Sequence, residues 1–308
     1  MTAGVKLDEL SRFRGCLLGL AVGDAVGATV EFQQRGSFSP ISDMVGGGPH
    51  RLEPGQWTDD TSMALCLANS LVKQEGFDEI DQMDRYCRWR GEGYMSSTGK
   101  CFDIGNTTKY ALDCYQATSE AMAGPTDPDM AGNGSIMRLA PVPMFFYPDQ
   151  VLVERFSAES SRTTHGATAC VDACRLLGVV ILRALSGVPK DRVLSGGTDM
   201  KYDTKKIAAI AAGNYRAKSE SDIRGSGYAV ESLEAALWCF ATTKRFEAAI
   251  LKSANLGEDA DTTAAICGQV AGAYYGESGI PHRWRELVAM REDIRELANQ
   301  LHAVNLRT

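Results

Sequence analysis

Residues 167–185 carry the sequence ATACVDACRLLGVVILRAL, and the spacing of its apolar side chains decides the fold class. These side chains recur every three or four positions, at Cys170, Cys174, Leu177, Ile181 and Leu185. Such spacing places them on one face of an α-helix. The same spacing returns in residues 61–72, 232–240, 263–275 and 284–301, whereas alternation at every second residue is scarce. We therefore expect an all-α fold, built as a compact globule of many helices.

Glycine, proline and polar residues mark the breaks between these segments. Gly19, Gly23 and Gly27 interrupt the first helix-like segment at intervals of four residues. Glycine lowers helix propensity, so this recurrence favours close packing against a neighbouring backbone. We expect loops at residues 46–49, 125–128 and 141–148. The polar stretch 186–226 lies between apolar helices, and we interpret it as an insertion within a single domain spanning residues 1–308.

The composition is that of an acidic, well-folded protein. Of its 308 residues 44% are hydrophobic and 23% are charged, which excludes a disordered chain, and the net charge is −7. Because nucleic acids and anionic membranes need a basic surface, we expect neither as a partner. Nine cysteines without a CxxC pair and four dispersed histidines argue against a disulfide scaffold and a zinc site. We expect buried thiols in a cytoplasmic monomer.

Two acidic segments each directly precede an Ala-rich helix-like stretch. They are QWTDDTS at residues 56–62 and GEDADTT at residues 257–263. Taken singly, each is typical of helix capping, with Thr58 or Asp59 as the cap of the first. If the two helix starts meet, however, four carboxylates share a small volume: Asp59, Asp60, Asp259 and Asp261. Two divalent cations would neutralise that charge, and carboxylate and hydroxyl oxygens are ligands that hard cations prefer.

Three further segments are weaker indicators of a binding site. CFDIGNTT at residues 101–108 and GNGSIMR at residues 132–138 are small-residue loops, which let backbone N–H groups approach a phosphate but are also common as simple turns. In SRTTHG at residues 161–166, Thr164 is a candidate N-cap and His165 would lie in the first helical turn. A lone histidine there is more often structural than functional. No phosphate-binding P-loop motif and no Ser-His-Asp or Cys-His arrangement is present.

In their order along the chain, these segments resemble the ADP-ribosylglycohydrolase family, in particular its bacterial branch, typified by the dinitrogenase-reductase-activating glycohydrolase. The resemblance covers residues 12–276. It rests on the motifs GDAVG at 23–27, EF at 31–32, WTDDT at 57–61, FDIGNT at 102–107, GNGSIMR at 132–138, THG at 164–166, SGY at 226–228 and DADT at 259–262.

The resemblance implies an all-α globule with a binuclear metal cleft and assigns roles to individual residues. Two Mg²⁺ or Mn²⁺ ions would be held by Thr58, Asp59, Asp60, Asp259, Asp261 and Thr262. Glu31 and Asp103 would handle protons, without indicating which of them is acid and which is base. The substrate would contact Gly105, Asn106, Asn133, Gly134, Ser135 and His165, with Tyr228 stacked on adenine.

The implied reaction is hydrolysis of the bond between ribose C1 of ADP-ribose and a modified side chain of a protein. The FDIGN loop of the bacterial branch favours arginine as that side chain, and serine-linked or small-molecule conjugates are the next candidates. The sequence is also compatible with an immunity protein that reverses and blocks an ADP-ribosyltransferase toxin, with a non-catalytic relative, and with a metal phosphohydrolase outside the family.

Overall fold

The computed structural model describes residues 8–306, and this part of the chain forms fourteen α-helices and four short 3₁₀ helices. Between residues 8 and 306, β-structure is limited to two isolated bridges, Gly47 with Leu52 and Gly132 with Tyr228. The expected all-α fold is confirmed.

The helices follow one another with short connections for most of the chain. The α-helices are α1 (Glu9–Gly27), α2 (Asp59–Gln74), α3 (Glu79–Glu92), α4 (Asn106–Thr118), α5 (Pro141–Phe145), α6 (Gln150–Arg162), α7 (Thr168–Leu185), α8 (Lys190–Leu194), α9 (Lys205–Ala211), α10 (Ala229–Thr242), α11 (Phe246–Ala254), α12 (Ala260–Tyr275), α13 (His282–Leu287) and α14 (Arg291–Val304). The 3₁₀ helices are Pro128–Met130, Asn214–Ala217, Glu220–Asp222 and Glu277–Gly279.

Helices α1 and α12 form the buried centre of the fold and touch backbone to backbone. A Cβ atom added at Gly19 would lie 2.3 Å from the carbonyl oxygen of Gly268, and one added at Gly268 would lie 2.0 Å from the oxygen of Gly19. Gly15 meets Gly272 in the same way. The pairing runs in opposite directions along the two helices, so they are antiparallel. The close packing predicted from the glycine spacing is confirmed, and it sets the end of α1 beside the start of α12.

Two hydrophobic cores surround this pair. The larger contains the apolar faces of α1, α7, α10, α11 and α12, with Trp57 and Trp284 fully buried in it. The smaller lies between α2, α3 and α4 and includes Met63, Tyr86 and Trp89. Together the two cores fix α2 on one side of the α1–α12 pair, with its N-terminus toward α12.

The stretch 141–148, expected as a loop, is partly helical. Residues Pro141–Phe145 form α5, and all five are buried. The first residues of a helix have no intrahelical acceptor for their N–H groups, so proline is tolerated there. The helical spacing across 284–301 is also interrupted, because Met290 adopts the left-handed conformation (φ 53°) between α13 and α14.

The polar stretch 186–226 holds α8, α9 and two of the 3₁₀ helices, and it packs on the larger core through Val193, Ile207, Tyr215 and Ile223.

Six of the nine cysteines are buried, and all nine are free thiols. Among residues 8–306, none of the helices has the length and apolar character needed to cross a membrane.

Candidate active site

The two acidic segments meet at the starts of α2 and α12. The hydroxyl oxygen of Thr58, just before α2, lies 3.4 Å from Oδ2 of Asp261 in the first turn of α12. In the opposite direction, the hydroxyl of Thr262 donates to Oδ1 of Asp60 at 3.1 Å. All four side chains are buried. Segments that lie about two hundred residues apart in sequence therefore share one small polar site.

A buried carboxylate from α1, Asp24, holds the start of α2 in place. Its Oδ1 accepts hydrogen bonds from the backbone N–H and the hydroxyl of Thr58, at 2.9 and 3.0 Å. Its Oδ2 accepts from the N–H and the hydroxyl of Thr61, at 3.0 and 2.6 Å. The side chains of Thr58 and Asp59 do not cap α2, contrary to the capping interpretation, because Asp24 takes that role from another helix. The sequence signal for Asp24 is a charged residue inside an otherwise apolar helix-like run.

The carboxylates at the helix starts have the properties of a cation site. Oδ2 of Asp60 and Oδ1 of Asp261 are buried and have no hydrogen-bond partner. Ligand atoms of Asp24, Asp60 and Asp261 lie within 4.8 Å of one another. Burial, with the neighbouring carboxylates second, raises the pKa of Asp59, Asp60 and Asp261 well above the ordinary value. Unpaired buried carboxylates are costly, and an all-oxygen donor set fits a hard divalent cation such as Mg²⁺ or Mn²⁺.

A cavity of about 370 Å³ opens directly above these carboxylates. Among the predicted site residues, its lining includes Glu31, Asp59, Asp103, Gly105, Asn106, Asn133, Gly134, His165, Asp259, Asp261 and Thr262. Asn133 is oriented by a hydrogen bond from its Nδ2 to Oδ2 of Asp259, at 2.9 Å. Thr58 and Asp60 lie buried beneath the lining.

Three titratable side chains lie together beside the cavity: Glu31 and Asp103, which line it, and His50, which is not part of the lining. Nε2 of His50 lies 3.2 Å from Oδ1 of Asp103 and 3.4 Å from Oε2 of Glu31. Burial, and next the charge of Asp103, raises the pKa of Glu31 to about 9. Burial, and next the charge of Asp259, raises the pKa of Asp103 to about 7. His50 was not among the predicted site residues, because it follows a glycine-rich loop with no recognisable motif around it.

His165 lines the cavity with a neutral imidazole ring. Burial, with the charge of Arg138 second, lowers its pKa to about 3. The guanidinium of Arg138 donates to the hydroxyl oxygen of Thr164 at 2.7 Å, and that hydroxyl lies 2.8 Å from Nδ1 of His165. Either tautomer of the neutral ring can make this contact; when Thr164 donates to Nδ1, the ring proton is on Nε2. A Cβ added at Gly134 would lie 2.8 Å from Cε1 of His165, so only glycine allows this approach.

The expected N-cap at Thr164 is wrong. Helix α7 begins at Thr168 with Ala167 in the cap position, and Thr164 and His165 lie in the connection that follows α6. The hydroxyl of Thr164 is engaged by Arg138 and by the His165 ring instead of by a helix N–H.

Two predicted substrate contacts lie away from the cavity lining. Ser135 is buried, and its Oγ accepts from Ser161 at 3.0 Å and from the thiol of Cys174 at 3.4 Å. Tyr228 is half-buried just before α10, with Nζ of Lys206 5.2 Å from its ring centroid. Its neighbour Gly227 does line the cavity, whereas the ring itself packs near Lys206.

Comparison with known proteins gives consistent matches along the chain. A family model described as ADP-ribosylglycohydrolase matches residues 6–307. Two proteins named ADP-ribosylarginine hydrolase Tri1 are 46% identical (Pseudomonas putida, 96% of this chain and 78% of the relative) and 42% identical (Serratia proteamaculans, 96% and 80%). The ADP-ribosyl-[dinitrogen reductase] glycohydrolase of Rhodospirillum rubrum is 32% identical over 95% of both chains.

A solved structure described as an ADP-ribosylglycohydrolase-related protein complex has the same fold. It superposes with a TM-score of 0.85 at 42% identity, covering 96% of this chain and 98% of the other.

Proposed function

This chain belongs to the ADP-ribosylglycohydrolase family, and from that premise we propose that it removes ADP-ribose from arginine side chains of modified proteins. The two relatives named ADP-ribosylarginine hydrolase support arginine as the acceptor. The observation that carries the proposal is the meeting of two carboxylate-bearing helix starts beneath a cavity whose wall holds Glu31 and Asp103.

We propose that two Mg²⁺ or Mn²⁺ ions bind at the helix starts. The residues that would hold them are Thr58, Asp59, Asp60, Asp259, Asp261 and Thr262. Asp24 has both oxygens occupied by hydrogen bonds, so its role is to position Thr58 and the start of α2. When bound, such cations orient the ribose hydroxyls and stabilise negative charge on the attacking oxygen.

Glu31 and Asp103 are suited to different proton-transfer roles. Burial and the charge of Asp103 raise the pKa of Glu31 to about 9, which makes Glu31 the better proton donor of the two. Glu31 can give a proton to the guanidino nitrogen as it leaves ribose C1. Asp103, whose pKa is raised to about 7 by burial and the charge of Asp259, can accept a proton from the water that adds to C1.

The cavity also offers donors for the diphosphate of the substrate. Gly105 occupies the cap position of α4, and no side chain caps that helix, so the N–H groups of Asn106 and Thr107 are free to bind an anion. We propose that the diphosphate binds to these N–H groups. Asn133, Gly134 and the Nε2–H of His165 would contact the ribose. The buried side chain of Ser135 would support the loop that carries Asn133 and Gly134. Tyr228, which follows the lining residue Gly227, would stack on adenine.

The names of the three relatives describe hydrolysis, so they favour it over an immunity protein that blocks a toxin by contact. Each position that the family resemblance assigns to a metal ligand carries a carboxylate or hydroxyl side chain in this sequence, which argues against a non-catalytic relative. Nine free thiols support a reducing compartment such as the cytoplasm.

The direct test offers the purified protein arginine-linked and serine-linked ADP-ribosylated substrates in parallel, with Mg²⁺. We expect ADP-ribose release from the arginine conjugate. Release from the serine conjugate alone would contradict the choice of arginine, and release of inorganic phosphate instead of ADP-ribose would indicate a phosphohydrolase.

A further inference from the structure

Two residues of the cavity lining, Glu31 and Asp103, form with His50 a donor set different from that at the helix starts. Glu31, His50 and Asp103 each offer one ligand atom, and these atoms all lie within 4.8 Å of one another. The two distances that involve the imidazole, 3.2 Å to Asp103 and 3.4 Å to Glu31, match the edges of about 3.3 Å expected around a tetrahedral zinc ion with bonds near 2.0–2.1 Å.

The orientation of Glu31 independently indicates a ligand at this point. Its side chain is only 3% exposed, and its Oε2, which points toward His50, has no hydrogen-bond partner. Nε2 of His50 is also buried without a partner, and its contacts with the two carboxylates do not have hydrogen-bond geometry. Unpaired polar atoms in such a position are costly, and a bound cation would satisfy both of them.

His50 is suited to ligation. Burial lowers the pKa of its imidazole, so the ring is neutral at neutral pH and carries a lone pair. Its ring lies against Phe102, with ring centroids 5.1 Å apart, which restricts its orientation. The side chain is 22% exposed, so the ring lies near the protein surface while its Nε2 is buried against the two carboxylates.

We propose that Glu31, His50 and Asp103 form a third cation site, which selects Zn²⁺ over Mg²⁺ and whose occupation inhibits the enzyme. The inhibitory effect rests on the proposed function, because the ion would engage the two carboxylates assigned to proton transfer. Imidazole together with carboxylates suits zinc, whereas the all-oxygen site at the helix starts suits Mg²⁺. The sequence argued against zinc because its histidines are dispersed, but the fold sets one of them between two acidic side chains.

The test compares the wild-type protein with His50→Phe and His50→Gln, all saturated with Mg²⁺. Phenylalanine keeps an aromatic ring against Phe102, glutamine keeps a polar side chain, and both remove the imidazole nitrogen. His282→Phe is the matched control, because His282 lies on the surface with 78% of its side chain exposed and one carboxylate, Glu286, 3.6 Å away. Zinc binding is measured by calorimetry, and inhibition is measured as ADP-ribose release.

We expect wild type and His282→Phe to bind Zn²⁺ in excess Mg²⁺ and to lose activity as it binds. Both His50 variants should bind Zn²⁺ at least about tenfold more weakly and should need correspondingly more zinc for inhibition. Equal zinc affinity in wild type and in both His50 variants would overturn the site. Calorimetry decides this whether or not the protein hydrolyses ADP-ribosylarginine, so failure of the site and failure of the proposed function are distinguishable.

Discussion

The hydroxyl of Thr262 donates a 3.1 Å hydrogen bond to Asp60, a residue 202 positions earlier in the chain. This contact exists because α1 and α12 pack closely enough to set the end of α1 beside the start of α12. Asp24, near the end of α1, then binds the start of α2 and brings Asp60 to the same place. The candidate site therefore depends on how α1 and α12 pack along their whole length, including the ends that lie far from the site.

Replacement of Gly268 by alanine should destabilise the protein. The new Cβ would lie 2.0 Å from the carbonyl oxygen of Gly19, and backbone cannot move aside cheaply. We expect a loss of about 1–3 kcal/mol or more in the free energy of unfolding, measured by urea denaturation. Gly91→Ala in α3 is the control, since a Cβ there meets nothing within 4 Å and should be neutral or slightly stabilising. Equal stability of the two variants would contradict the close packing.

Without metal, the stability of the protein should fall as pH rises. Burial raises the pKa of Asp24 to about 6, that of Asp103 to about 7 and that of Glu31 to about 9, above the values of about 4 for unfolded carboxyls. Between about pH 4 and about pH 9 the folded state therefore binds more protons than the unfolded state. Raising the pH in this range lowers the free energy of unfolding.

The measurement is the Tm of the protein, once with a chelator and once with Mg²⁺. It is made from about pH 5 to about pH 9, an interval that spans the shifted pKa values. Mg²⁺ should stabilise most at the alkaline end, where the carboxylates are ionised. A chelated protein that becomes more stable over this interval would refute the assignment of these carboxylates.

His165 should contribute to binding and not to proton transfer. The lowered pKa of about 3 keeps its ring neutral, and we propose the tautomer in which Thr164 donates to Nδ1 and the Nε2–H donates to the substrate. We expect His165→Leu to raise KM about tenfold, and His165→Gln, which can still donate, to raise it less. The pH dependence of kcat should be unchanged in both variants. A shift in that pH profile would show that His165 titrates during the reaction.

Tyr228 should contribute through its ring and not through its hydroxyl. Loss of a base-stacking contact costs about 1–3 kcal/mol, so Tyr228→Ala should raise KM for the ADP-ribosylated substrate by about tenfold or more. Tyr228→Phe should resemble wild type. The exposed Tyr110 on α4 provides the control, as Tyr110→Ala. If Tyr228→Ala binds substrate normally, adenine lies elsewhere.

The sequence predicted helices well where one face is apolar and the flanking residues are polar. Residues 61–72 and 263–275 were expected to be helical, and the structure extends both toward their acidic starts, as Asp59–Gln74 and Ala260–Tyr275. The helix at 141–145 was missed because proline usually ends a helix, whereas here it begins one in a fully buried position.

The site was predicted where its residues form motifs and missed where they depend on tertiary packing. The two acidic segments each carry a recognisable pattern, so their meeting could be expected from the repeated feature. Asp24 acts on another helix, and His50 comes from a glycine-rich loop placed beside Glu31 by the fold. No local spacing encodes either contact, so the sequence alone could not assign them.

The most direct test of the proposed metal-dependent reaction is ADP-ribose release from an arginine-modified protein, after chelation and again after Mg²⁺ is restored. It compares wild type, Asp261→Asn and the surface control Asp222→Asn. We expect wild type and Asp222→Asn to be active only with Mg²⁺, and Asp261→Asn to lose at least about a hundredfold in activity. Full activity of Asp261→Asn, or of the chelated wild-type protein, would contradict the account.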